Sequence, residues 1–154
     1  MPKYASQTTV SENQTISDIE SILEEFGAND IAYGMTKQKA KIAFSLEDRH
    51  IVFELAFPDK DDEEFLYTPT KKQRRSEVEV EKFYRQERKR LLRALLLCIR
   101  AKLESIESGI ETVEEAFLAQ IAMPDGKTMG QWAAPQIEKM YEDGESPPPL
   151  MLTD

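Results

Sequence analysis

The chain has 154 residues, with 20 basic and 29 acidic side chains and a formal net charge of −9, a length that suits one domain. Its 40% hydrophobic content is enough for a packed interior and excludes wholesale disorder. One cysteine (Cys98) and one histidine (His50) exclude an intramolecular disulfide, a multi-cysteine metal centre and a His–His metal pair.

Residues 1–15 are polar and aperiodic, which predicts a flexible arm ahead of a single α+β domain over 16–142. Ser17-Asp18-Ile19-Glu20 has the form of a capping box. Ile19, Ile22, Leu23 and Phe26 follow at i, i+3, i+4 and i+7, with Gly27 as the stop, predicting a short amphipathic helix. The period then changes to two. Ile31, Tyr33 and Met35 predict one strand, Ala40, Ile42, Phe44 and Leu46 a second, and Ile51, Phe53, Leu55 and Phe57 a third. Strict alternation predicts a three-stranded antiparallel meander covered on one face, and Pro58 ends it. The acidic run 59–64 is expected as a solvated loop. It lacks the spacing and glycine of a calcium-binding loop, so no metal is expected there.

Residues near Ser76 to Ser108 predict a long central helix of roughly 30 residues and about 45–50 Å. Leu92, Leu96, Ile99, Leu103, Ile106 and Ile110 form one apolar stripe, and Val80, Tyr84, Leu91, Leu95 and Cys98 an adjacent one. Together they cover an arc of about 180° at 100° per residue. The helix is therefore expected to pack on two sides, with a homodimer as one way to cover the arc, and Cys98 is expected to be an inert buried thiol. Thr112-Val113-Glu114-Glu115 offers another capping box after Gly109, followed by Phe117, Leu118 and Ile121 at helical spacing. Pro124-Asp125-Gly126 predicts a turn closing a small hairpin between 122–123 and 128–129. A last helix is expected from Gln131 to Tyr141, with Pro135 near its first turn. Residues 143–154 are expected as a Pro-rich, extended tail.

The charge is partitioned along the chain. Residues 1–70 carry 6 basic against 14 acidic side chains, 71–102 carry 12 against 4, and 103–154 carry 2 against 11. The balances are −8, +8 and −9, so an acidic protein contains one basic segment, a pattern that marks an interaction surface. Its candidate anion- or phosphate-binding residues are Lys71, Lys72, Arg74 and Arg75 before the helix, and Arg85, Arg88, Lys89, Arg93 and Arg100 on it. The alternative is internal neutralisation, with Arg88, Arg93, Arg100 and Lys102 pairing with acids such as Glu54, Glu104 or Glu107.

Other chemistry-bearing residues carry less. His50 opens a strand and fits a structural or exposed role. Trp132 is either a packing anchor or an exposed recognition group. Tyr67 and Phe83 lie near the basic run and suit base stacking, whereas Tyr84 falls in the apolar arc and suits the core. The patterns HExxH, GxSxG, GxGxxG and the P-loop are absent. Catalysis is not expected, and neither a cofactor nor a metal is implied.

The segments Tyr84-Arg85-Gln86-Glu87-Arg88-Lys89-Arg90-Leu91-Leu92-Arg93-Ala94-Leu95-Leu96-Leu97 and Met123-Pro124-Asp125-Gly126 resemble small, uncharacterised phage- and prophage-encoded proteins. The resemblance implies a product of the bacterial host cytoplasm, acting in DNA metabolism or counter-defence, and assigns no site residue. No run approaches the about 18–20 apolar residues of a membrane span, and the first residues form no signal-peptide core; no membrane association is expected. Two functions stay open. One is a non-catalytic protein binding nucleic acid, a nucleotide or a phosphorylated ligand through the basic helix margin. The other is an acidic, dimeric protein-interaction module (an inhibitor, DNA mimic or chaperone-like protein) acting on a host or phage protein.

Overall fold

The computed structural model describes residues 3–144, and side chains from residue 11 onward; residues 145–154, expected as the body of the tail, lie outside that range. The architecture is α+β. A first helix, α1 (Lys3–Glu25), precedes strands β1 (Asn29–Met35), β2 (Lys39–Leu46) and β3 (Arg49–Ala56). A short α2 (Glu63–Leu66), the long α3 (Glu77–Glu107), α4 (Val113–Phe117) with a following 3₁₀ turn (Leu118–Gln120), and α5 (Met129–Glu142) complete it.

β2 and β3 follow their alternation, whereas in β1 Ile31 and Met35 are only half-buried and Tyr33 is exposed. Order is β1-β2-β3, all antiparallel. Ile42 pairs with Phe53 and Phe44 with Ile51, so the buried residues of both strands share one face against the helices. Leu46 and Arg49 close a two-residue turn in which Glu47 and Asp48 both take positive φ, 47° and 63°, the twist that a tight hairpin needs. Asp30, at φ 53°, sits in the register shift between Asn29 and Ala32. On the core side, Phe117 is fully buried and meets Phe44 and Phe53 edge-on, at 5.7 and 5.9 Å between ring centroids.

Three expectations change. Residues 3–15 belong to α1 and not to an arm, and Ser17 lies inside that helix, so its capping-box pattern starts nothing. Glu12, Thr15, Ile16, Ile19, Ile22 and Leu23 are all buried, a spacing of three and four that continues the apolar stripe past the polar sequence. The acidic run is not all loop. Asp62 precedes α2, whose Phe65 packs edge-on against Tyr84 at 5.6 Å and forms a second small core with Val80.

The long helix also differs in how it packs. Its buried positions are Val80, Tyr84, Arg88, Leu92, Leu96, Ile99 and Leu103. The first five recur every fourth residue, so the stripe advances about 40° per step as far as Leu96; Ile99 and Leu103 fall back within the arc already covered. The N-terminal half therefore faces α2 and the C-terminal half faces the main core. The buried positions span about 160° of arc, close to the expected width, and α1, α2 and α4 of the same chain pack against the helix. Leu91 and Leu95 are half-buried at its margin, whereas Leu97 and Cys98 are exposed; Cys98 is not a buried thiol.

The turn and the last helix are found as expected, but α5 starts earlier, so that Pro135 lies in its interior and not in its first turn. In addition, α4 stops at Phe117, where the apolar spacing predicted more helix. Met123 N–H donates to the Lys127 carbonyl at 2.7 Å, and Ala122 bridges Thr128. Thr112 and Thr128 each cap a helix through a reciprocal box with Glu115 and Gln131. Gly130 fits where α5 crosses the 3₁₀ turn, because a Cβ there would lie 2.9 Å from the Ala119 carbonyl oxygen. Beyond that crossing α5 buries no residue. Among the described residues, no helix is long and apolar enough to cross a membrane.

Candidate polyanion-binding surface

The nine candidate cations separate into three groups once their neighbours are visible. Arg88 is the clearest case of internal use. It lies fully inside the protein, 6% exposed. Its Nε donates to Glu12 Oε1 at 3.0 Å and its Nη2 to Glu12 Oε2 at 3.3 Å, while Nη1 reaches the Thr36 and Lys37 carbonyls at 3.4 and 3.5 Å. The guanidinium also stacks on Phe57, 4.1 Å from the ring centroid. Burial opposes its charge, but hydrogen bonds with Glu12 and Tyr84 prevail and hold its pKa above the usual arginine value. Arg88 is therefore a structural cation and not an anion-binding one.

Arg85 and Arg75 are occupied too. Arg85 Nε donates to Glu81 Oε1 at 2.8 Å, and Glu81 also faces Lys60 at 3.8 Å. These groups line a cleft of about 320 Å³ with Lys37, Asp59 and Tyr84, in which every arginine already has a carboxylate. Arg75 Nη1 donates to the Glu64 and Phe65 carbonyls at 2.8 and 3.2 Å, and its plane covers Phe83 at 4.1 Å. It clamps α2 onto α3. Lys102, on the same helix, donates to the Ala116 carbonyl at the end of α4. Internal neutralisation is thus real for these residues, through Glu12, Glu81 and carbonyls and not through Glu104, Glu107 or Glu54; Glu54 pairs with Lys39 at 3.0 Å.

The remaining cations face solvent. Lys71, Lys72 and Arg74 sit in the exposed turn before α3. Lys72 adopts φ 53° with its N–H on the Thr68 carbonyl, and Arg74 lies 5.6 Å from the Tyr67 ring centroid. On α3, Lys89, Arg93 and Arg100 are exposed and, among the described residues, none has an ion pair. At 100° and 1.5 Å per residue they fall within about 40° of arc and span about 16 Å. This is an open row on one side of a rigid helix. Arg90, between them in sequence, is bidentate to Glu87 at 2.9 and 2.7 Å.

The aromatic candidates split in the same way. Tyr84 is buried and its hydroxyl donates to the Lys37 carbonyl at 3.3 Å, whereas Tyr67 and Phe83 are partly exposed beside the basic turn. Trp132 is exposed on α5, and His50 is exposed with Nδ1 3.1 Å from Ser45 Oγ. Among the described residues no cluster of three or more His, Cys, Asp or Glu could hold a metal ion. The residue that sequence reasoning missed is Glu12. Its position three before Thr15 and four before Ile16, ahead of Ile19, was the available signal.

Compared with known proteins, the chain matches no protein-family model, no curated protein and no solved structure.

Proposed function

We propose that the protein binds a polyanion, a nucleic acid strand or a nucleotide phosphate, through the Lys89–Arg93–Arg100 row of α3, extended by Lys71, Lys72 and Arg74. The observation that carries this reading is that, among the described residues, those three α3 cations have no ion pair within a chain of net charge −9. Arginine supplies planar, permanently charged donors suited to phosphate. Rises of about 6 and 10 Å between successive cations suit phosphates recurring along a strand. Tyr67 and Phe83 are partly exposed beside the basic turn, each with an arginine over one ring face, Arg74 and Arg75 respectively, so any base would stack on the other face. The resemblance to phage-encoded proteins would place such binding in DNA metabolism or counter-defence.

Fluorescence anisotropy with a labelled single-stranded oligonucleotide, and competition by linear and cyclic nucleotides, tests the reading. The triple variant Lys89→Glu, Arg93→Glu, Arg100→Glu is expected to lose binding and to reduce the salt slope by about 2, at about 0.7 per lost contact for single strands. Equal affinity and slope in wild type and variant would remove the proposal.

A second reading, a protein-interaction module, is supported by α5. Ile137, Met140, Tyr141 and Trp132 are all exposed on a helix that buries nothing. An Ile137→Asp variant that loses a partner still retained by wild type after nuclease treatment would favour it.

A further inference from the structure

The solvent face of α3 is asymmetric in charge along its length, and that asymmetry identifies what can cover it. Leu97, 63% exposed, lies near the middle of the exposed face, with Ala94, Cys98 and Ala101 around it. Lys89 and Arg93 precede this centre by one to two turns and Glu104 and Glu107 follow it, all four exposed and, among the described residues, without an ion pair. The buried residues of this half, Leu92, Leu96, Ile99 and Leu103, occupy the opposite side of the helix. The exposed centre is therefore not a margin of the core.

We infer that this face is an interface with a second copy of the same chain, the two α3 helices crossing antiparallel about a two-fold axis near Cys98. Antiparallel pairing sets Arg93 beside the partner copy's Glu104 and Lys89 beside its Glu107, and both pairings agree on the register to within one residue. A parallel pairing would set like charges side by side. Complementarity is satisfied twice, as a two-fold interface requires, and Leu97 is covered at the centre while the ion pairs form the rim. The alanines allow the helices to approach at the close end of the usual 8–10 Å range. The residues that form this face, Ala94, Leu97, Cys98 and Ala101, are exposed and lie outside the buried arc of α3. Rim pairing uses two cations of the proposed polyanion row, so a polyanion would favour the separated chain. The interface does not itself rest on that reading, and its test contains no nucleic acid.

The experiment is sedimentation equilibrium of the full chain in low salt, with cross-linking by a short bismaleimide through Cys98, the sole cysteine. Wild type is expected to be a dimer that cross-links Cys98 to Cys98. Leu97→Asp is expected to be monomeric with an unchanged circular dichroism spectrum, since Leu97 contributes little to the core. Glu104→Lys with Glu107→Lys is expected to weaken association at least tenfold, and adding Lys89→Glu with Arg93→Glu to restore it. A monomeric wild type at tens of micromolar, a dimer that survives Leu97→Asp, absence of the Cys98 cross-link, or failure of the charge swap to restore association would each overturn the inference.

Discussion

Replacing Glu12 by Gln tests whether the start of α1 is docked as the structure places it. The carboxylate is 3% exposed and makes two charge-assisted bonds to Arg88, which is itself 6% exposed. Such bonds contribute about 1.5–3 kcal/mol each, and removing one partner of a buried pair costs about 3–5 kcal/mol because the other charge stays buried. Some compensation remains. The Phe57 face at 4.1 Å contributes about 1–2 kcal/mol, while the carbonyls of Thr36 and Lys37 sit at the long limit of hydrogen bonding. The net loss is expected near the lower end, about 3 kcal/mol. For a chain of 154 residues that corresponds to a fall in Tm of about 6–12 °C. Urea unfolding followed by circular dichroism measures it. Arg88→Met and the double variant complete a cycle, in which the double change is expected to cost well below the sum of the two single ones. A Glu12→Gln protein within about 0.5 kcal/mol of wild type, the range of an ordinary surface change, would refute the reasoning and return residues 1–15 to a loosely attached arm.

Three further outcomes follow from the packing and the ion pairs. Phe117→Ala removes the ring that Phe44 and Phe53 meet edge-on and should cost about 3–5 kcal/mol, read as a shifted urea midpoint with the slope unchanged. Gly130→Ala drives a Cβ to 2.9 Å from the Ala119 carbonyl oxygen. It should lower protection of the Met129 amide in hydrogen exchange by overpacking of about 1–3 kcal/mol, even though alanine is the better helix former. The Glu87 carboxyl is held below its ordinary pKa by the hydrogen bond from Arg90. The stability it adds is present above the unfolded carboxylate pKa and is lost as pH falls through the folded one. An NMR titration should show the Glu87 pKa rising in Arg90→Gln, with a stability loss of about 0.3–0.5 kcal/mol at neutral pH that disappears in acid.

These tests bear on how much was legible before any coordinate. The strands and their antiparallel order were legible, because a period of two with one apolar face fixes which side of β2 and β3 is buried. The register shift at Asp30 and the exposure of Tyr33 in β1 were not, since an edge strand is not held to that pattern on both sides. Both reciprocal caps, at Thr112 and Thr128, rest on contacts three residues apart, and only the first was recognised. The start of α1 was hidden for a physical reason. Its decisive buried residue is a glutamate, and a carboxylate counts as surface until its partner, 76 positions away, is known. The same blindness affects the basic segment. Its balance of +8 weights each arginine equally, but Arg75, Arg85, Arg88, Arg90 and Lys102 spend their hydrogen bonds on carboxylates and carbonyls of the protein. Periodicity does not separate them from Lys89, Arg93 and Arg100, because at 100° per residue these three lie only about 20–60° beyond buried Leu96, at the margin of the same arc that holds Arg88. The proposed binding surface is therefore a difference between total charge and internally matched charge. Only the second quantity requires the fold.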